Sequence, residues 1–247
     1  MMKINQLIKD WPKGTIKTVK ELEESDYTPQ LLKSYSNSKW IELYGRGMYK
    51  LYKDNVDWQG ILYGMQRKSS TTLHAGAKTA LTLKGYGHYL PLGESKAYLF
   101  SDMTENFNAW LKKSNQMVLK RNGVFDYSNK NYFLKYNTGN FEIKISSPEL
   151  AIMEMLYLIP QDQSFDEALK IMNGLTTLRP RIIQSLLETS NSVKVKRLFL
   201  FMADRSEHSW FKDLDLYKIN LGSGKRMIVK DGIMDNKFLI TYPKSLE

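Results

Sequence analysis

The chain has 247 residues, with 36 Lys plus Arg against 26 Asp plus Glu, a formal charge of +10, and no cysteine. That length suits two domains of roughly 100 to 150 residues, and the positive balance favours polyanionic partners such as nucleic acid. Without cysteine there are no disulfides, thiolate nucleophiles or sulfur-ligated zinc sites, and the longest apolar stretches, residues 150–159 interrupted by Glu154 and residues 198–203, fall far short of the ~20 residues needed to cross a bilayer.

At the amino end, Ile4, Leu7, Ile8 and Trp11 recur at three- and four-residue steps, predicting a short amphipathic helix over residues 3–11 that stops at Pro12 and Gly14. Lys3 and Lys9 interrupt this apolar pattern, unlike the continuous core of a signal peptide, so a cytoplasmic protein is expected. Thr18 and Glu21 have capping-box spacing, the hydroxyl serving the third amide and the carboxylate reaching back, so a second helix is predicted from residue 18 with Val19 and Leu22 inward. Thr28 followed by Pro29 provides a cap and a favourable first helical residue, opening a third helix that runs to about residue 38. On this helix Leu31, Leu32 and Tyr35 share one side, while Gln30, Lys33, Ser34 and Asn37 share the other. That polar side has no carboxylate, which suits a surface meeting phosphates and base edges.

The short turn between the second and third helices is that of a helix-turn-helix. Residues 39–44 and 48–52 are β-prone and flank Gly45-Arg46-Gly47, predicting a hairpin with a cation at its tip. Three helices followed by a basic-tipped hairpin predict a winged helix-turn-helix. Its Arg46 can reach a phosphate or the minor groove, since glycines on both sides allow close backbone approach.

Trp58, Ile61, Leu62 and Met65 form a helical stripe, and residues 77–84 suggest another helix ending at Gly85. Residues 86–93 are rich in turn formers, which places a domain border near residue 92. Beyond it, β-like runs at 97–100, 117–120, 132–136 and 141–145 predict a mixed sheet. Helices are predicted from Pro148 to about residue 158, from a second capping box at Ser164 and Glu167, around Ile182 to Leu187, and around Val195 to Met202. Short strands are expected around Tyr217, at 226–229 and at 238–241. The expected fold class is therefore α+β, an N-terminal winged helix-turn-helix domain over residues 1–92 followed by a mixed α+β domain over residues 93–247.

Little in the chain suggests catalysis. His74, His88 and His208 lack metal-ligand spacing, so structural or surface roles are expected of them. Residues 221–226, Leu-Gly-Ser-Gly-Lys-Arg, resemble a P-loop only superficially: Ile219 stands where its first glycine is needed, and Arg226 stands where Ser or Thr would bind magnesium. A turn between strands is expected there. Asp126, Glu142 and Lys144 are the one enzymatic candidate, since an acid followed by acid-x-lysine on a strand occurs in metal-dependent nucleases; a solvated ion-pair face is the plainer reading. No catalytic residue, metal or cofactor is predicted.

In order along the chain, residues 12–15 (PKGT), Leu31-Leu32 with Tyr35, Trp40-Ile41, residues 45–49 (GRGMY), 56–60 (VDWQG), 74–76 (HAG) with 78–81 (KTAL), 85–86 (GY), 88–93 (HYLPLG), 147–149 (SPE), 193–200 and 221–226 resemble the AbiEi family of antitoxins, of type IV toxin-antitoxin systems. The resemblance implies a bacterial self-repressor acting through inverted repeats in its own promoter. It also implies a C-terminal domain that counters a nucleotidyltransferase-like toxin encoded nearby, in the setting of abortive infection and phage resistance. The DNA-contact candidates are Thr28, Gln30, Lys33, Ser34, Asn37, Lys39 and Arg46, and those for toxin neutralisation are Lys194, Lys196, Arg197, Lys225 and Arg226, expected to form an exposed basic set. The implied partners are double-stranded DNA and the toxin, with no membrane. A stand-alone regulator with an effector-sensing C-terminal domain and a DNA-targeted nuclease are the alternatives.

Overall fold

A computed structural model describes residues 3–68, 70–86, 96–107, 111 and 115–246. The backbone groups into two compact units that interleave along the sequence. One comprises residues 1–75, 94–121 and 135–145; the other comprises 76–93, 122–134 and 146–247. The border expected near residue 92, and His88, lie outside the described residues.

The first unit begins with α1 (Lys3–Lys9), β1 (Ile16–Thr18), α2 (Val19–Glu24), α3 (Pro29–Asn37), β2 (Ile41–Gly45) and β3 (Met48–Leu51). Its three strands form an antiparallel sheet in the order β1-β3-β2, and this succession of helices with a closing hairpin has the element order expected of a winged helix-turn-helix. Ile4, Leu7, Trp11, Leu22, Tyr27, Leu32 and Ile41 make one apolar core, so the predicted inward faces of the three helices meet as expected. The indole of Trp11 contributes from beyond the end of α1, which is shorter than the predicted 3–11, and donates to the Thr15 carbonyl at 3.3 Å.

Strand β1 is not predicted by the sequence pattern; three residues with one fully buried, Ile16, are too few to show alternation. The Thr18 hydroxyl caps α2 by accepting from the Glu21 amide at 3.1 Å, but the reciprocal half of the capping box does not form. The Glu21 carboxylate turns instead to Lys17 at 3.0 Å, because a nearby cation is a stronger partner than a backbone amide. The same correction applies at Ser164: its hydroxyl caps the helix, while Glu167 accepts from the Gln163 side chain at 2.7 Å.

Helix α4 (Trp58–Gln66) lies against β1. Two glycines one turn apart permit that approach, since a Cβ on Gly60 would sit 1.7 Å from the Gly14 carbonyl oxygen and one on Gly64 would sit 2.4 Å from that of Ile16. β4 (His74–Ala75), β5 (Ala97–Ser101), β6 (Met117–Arg121), β7 (Phe133–Asn137) and β8 (Glu142–Ser146) form a sheet in the order β6-β5-β4-β8-β7. It is mixed, as predicted: β4 pairs antiparallel with β5 and parallel with β8. The two-residue β4 is an addition to the expected strands.

The second unit contains α5 (Ala77–Leu83), α6 (Pro148–Tyr157), α7 (Phe165–Gly174), α8 (Pro180–Thr189) and α9 (Val193–Arg205), with β9 (Ile233–Asp235) paired antiparallel to β10 (Ile240–Tyr242). Helix α6 is central and packs against α5, α7, α8 and α9, with every residue from Glu149 to Leu156 buried. Two carboxylates therefore sit in the interior. Glu149 forms a fork with Arg179, both bonds 2.9 Å, and accepts the Arg179 amide as well. Glu154 accepts from the Ser146 hydroxyl at 2.7 Å and the Ala77 amide at 3.0 Å. Burial by itself raises the Glu149 pKa, but the hydrogen bonds from Arg179 outweigh it and hold the carboxyl below its ordinary value.

Two of the short strands predicted near the carboxyl end are corrected. Residues around Tyr217 form a 3-10 turn, Leu216–Lys218, organised by Asp215 accepting from the Tyr217 amide. Residues 226–229 make only an isolated bridge, Arg226 to Ile240, because the Thr241 hydroxyl takes the Ile228 and Val229 amides that a ladder would need.

Candidate nucleic-acid interface

Helix α3 starts where Thr28 Oγ1 accepts from the Leu31 amide at 3.3 Å and Pro29 occupies the first turn. Its apolar side is spent on the core: Leu32 is buried, and Leu31 and Tyr35 pack against the cluster described above. Thr28, Gln30, Lys33, Ser34, Asn37 and Lys39 are all exposed. Apart from the Thr28 cap, none of these side chains has a hydrogen-bond or ionic partner among the described residues. Lys39 takes a left-handed conformation, φ 57°, that ends the helix and sends the chain into β2.

The wing is held at its base and its tip. Glu42 on β2 faces Lys50 on β3, with Nζ 3.0 Å from the carboxylate, and it also accepts the Lys53 amide. The Lys50 hydrogen bond lowers the Glu42 pKa, and this carboxylate, the one acid in residues 41–51, is already paired. At the tip, a register shift between Leu43 and Gly45 and a positive φ of 76° at Gly47 turn the chain, and the Val19 amide anchors it by donating to the Gly47 carbonyl at 2.9 Å. Arg46 stands exposed there, with no partner among the described residues. Two apolar side chains not singled out as contacts are exposed in the same region, Trp40 at 47% and Leu43 at 62%. Leu43 has the same strand phase as buried Ile41, two residues before it, so period alone does not distinguish it from a core position.

The C-terminal basic set is corrected. Only Lys225 and Arg226 are exposed; Lys196 is 5% exposed, Arg197 1%, and Lys194 is half-buried. Lys194 Nζ donates to the Tyr157 and Ile159 carbonyls at 2.8 and 2.7 Å, closing the end of α6. Lys196 donates to the Asn220 carbonyl. The Arg197 guanidinium donates to four carbonyls, those of Leu221, Gly222, Gly224 and Leu239, at 2.5 to 3.2 Å. The P-loop-like stretch is thus a turn wrapped round a buried cation. Burial lowers the pKa of all three groups, with the charge of Arg226 contributing at Arg197. These cations were expected on a solvated side of α9, but residues 195–203 are buried on every side.

Of the histidines, His74 and His208 are buried and structural, donating to the Thr72 and Met172 carbonyls. The three nuclease candidates each have local partners. Asp126 accepts from the Ser128 amide and hydroxyl, which lower its pKa; Glu142 pairs with Lys135 at 3.2 Å; and Lys144 Nζ donates to the Thr71 carbonyl at 3.0 Å. Among the described residues no group of three or more acidic or histidine side chains could hold a metal ion, and no helix is long and apolar enough to cross a membrane.

Residues 1–92 match a family model described as the N-terminal domain of the AbiEi antitoxin transcriptional regulator, and residues 94–243 match one described as a transcriptional regulator, AbiEi antitoxin, of a type IV toxin-antitoxin system. No curated protein sequence matches the chain. Among solved structures, the RV2827C protein from Mycobacterium tuberculosis superposes with a TM-score of 0.66 over 96% of this chain and 88% of its own, at 11% identity, which is a likeness of fold.

Proposed function

Since the chain belongs to the AbiEi family of antitoxin transcriptional regulators, we propose that it represses its own operon by seating α3 in the major groove of inverted promoter repeats, with the wing's Arg46 against the adjoining backbone or minor groove. One observation carries this reading. Lys33 and Arg46, with Gln30, Ser34 and Asn37 beside Lys33, are exposed, have no intramolecular partner among the described residues, and include no acid. Phosphate neutralisation releases counterions and dominates affinity, so unpartnered cations are the ones able to contribute. Amide and hydroxyl side chains on the same helix side are suited to base edges.

The second half of the proposed activity is opposition to a nucleotidyltransferase-like toxin encoded in the same operon, assigned to a domain over residues 93–247, in the cytoplasm and without enzymatic chemistry. Of the basic candidates, Lys225 and Arg226 are the ones whose side chains reach solvent. Gel shifts of the full chain on the DNA upstream of its gene test the first half: a specific shift supports it, and its absence at moderate salt defeats it. Growth rescue on co-expression with the adjacent toxin tests the second. Lys225→Ala with Arg226→Ala should reduce rescue while leaving the shift unchanged; full rescue would remove these residues from the account.

A further inference from the structure

Glu142 and Lys144, which the reading above leaves without a role, border a cleft of about 500 Å³ within the first unit, between α4 with the residues that follow it and the β7–β8 hairpin. Four cations line this cleft, Arg67, Lys68, Lys135 and Lys144, against one carboxylate, Glu142. Three of the cations are loosely held. Arg67 is 3.8 Å from Glu21, Lys68 is 3.7 Å from Glu105, and Lys135, 81% exposed, makes a surface pair with Glu142. Such pairs are worth little and reorganise readily for a stronger anion.

The fourth cation is fixed. Lys144 Nζ rests on the Thr71 carbonyl, and its own amide and carbonyl are clasped by the Gln66 side chain at 2.8 and 3.0 Å, while Gln66 also donates to the Leu73 carbonyl. The cleft therefore has a cationic floor held by hydrogen bonds and exposed cationic arms. It also has an aromatic wall, where the half-buried rings of Tyr63 and Phe141 stand 5.0 Å apart at 50°. Charge that merely keeps a surface hydrated needs no such wall. A phosphate-bearing ligand with a flat ring uses both parts, and the volume suits a small molecule.

We propose that this cleft binds a nucleoside di- or triphosphate, with the base against Phe141 and Tyr63 and the phosphates among Lys144, Lys135 and Arg67. Glu142 is then the anion that the phosphates displace from Lys135. No residue of α3 or of the wing tip lines the cleft, so the site is separate from the proposed DNA surface and does not depend on that reading.

Isothermal titration of the full chain with ATP, GTP, adenosine and inorganic tripolyphosphate tests it, using variants at exposed Lys135 and Glu142 and at half-buried Phe141, with the denaturation midpoint of each recorded. A nucleoside triphosphate should bind at one site per chain, with adenosine and tripolyphosphate each at least about tenfold weaker, since each lacks one of the two contacts. Lys135→Gln should weaken binding by about tenfold, and Glu142→Gln should strengthen it severalfold by removing the competing anion. Phe141→Leu should weaken nucleotide binding without changing that of tripolyphosphate. Absence of any binding at millimolar nucleotide, or affinities that ignore both Lys135→Gln and Glu142→Gln, would overturn the proposal. Equal affinity for tripolyphosphate and ATP would overturn it too, by reducing the site to one for simple anions.

Discussion

Two sets of cations in this molecule meet opposite fates. Lys33 and Arg46 of the winged module stand in water with no partner among the described residues, whereas half-buried Lys194 and buried Lys196 and Arg197 at the start of α9 donate to seven backbone carbonyls. The net charge of +10 counts both sets alike. What separates them is the neighbouring backbone. Helix α3 is amphipathic and covers a core on one side only, while residues 195–203 of α9 are all buried, so the charged side chains among them have to find acceptors within the fold. Positive charge marks a binding surface only where its hydrogen-bond donors remain available.

The largest effect is expected from Arg197→Met. It removes four charge-assisted hydrogen bonds made by a buried guanidinium, and it should cost about 3–5 kcal/mol in chemical denaturation while DNA affinity per folded molecule stays constant. A cost under about 1 kcal/mol would show that the residues 221–226 turn does not depend on this cation.

Next in size is the Glu149–Arg179 fork of the second unit, whose carboxylate is buried and whose guanidinium is half-exposed. Arg179→Ala should cost about 2–3 kcal/mol at neutral pH, by leaving Glu149 in the interior without its main partner. Its sign with pH follows from the depressed carboxyl. Stability from this pair is present above the unfolded glutamate pKa, about 4.3, and is lost as pH falls through the lower folded value, so the wild-type chain should lose more stability below pH 4.3 than the variant. Parallel pH profiles would contradict the assignment.

Gly60→Ala should then destabilise by about 2–3 kcal/mol, because its Cβ would overlap the Gly14 carbonyl and push α4 away from the 12–14 turn. The smallest effect on stability belongs to Lys33→Ala and Arg46→Ala, each within about 0.5 kcal/mol of wild type. If either unfolds the chain, the side chain has a structural role and the contrast with α9 fails.

The winged module was largely legible because its signals are local. Thr28-Pro29 opens a helix through a hydroxyl and a fixed φ, and Gly45-Arg46-Gly47 turns a hairpin, whatever the remainder of the chain does. The order of the helices in the second half was legible for the same reason, whereas of the three short strands expected near the carboxyl end only the one at 238–241 forms, as β10. What stayed hidden depends on long-range neighbours. Gly60 and Gly64 carry no apolar signal, yet they decide how closely α4 approaches β1. The Glu21 and Glu167 carboxylates have capping-box spacing, but nearby side chains, Lys17 and Gln163, compete for them. Arg197 looks like a surface residue until the 221–226 turn closes over it. Within the proposed DNA surface, exposure of the polar side of α3 followed from its period, whereas that of Trp40 and Leu43 did not, since burial of a β-prone apolar residue depends on how far the sheet extends beyond the core.

The claim that donor availability, and not charge, makes the winged module the DNA surface is tested most directly by the salt dependence of operator binding. For wild type and the Lys33→Ala, Arg46→Ala double variant, log K is measured against log salt on the same upstream DNA, with the denaturation midpoint of each recorded. The slope should fall in magnitude by about two in the double variant, one for each lost phosphate contact, at an unchanged midpoint. An unchanged slope, with specific binding intact, would place the phosphate contacts elsewhere and contradict the account.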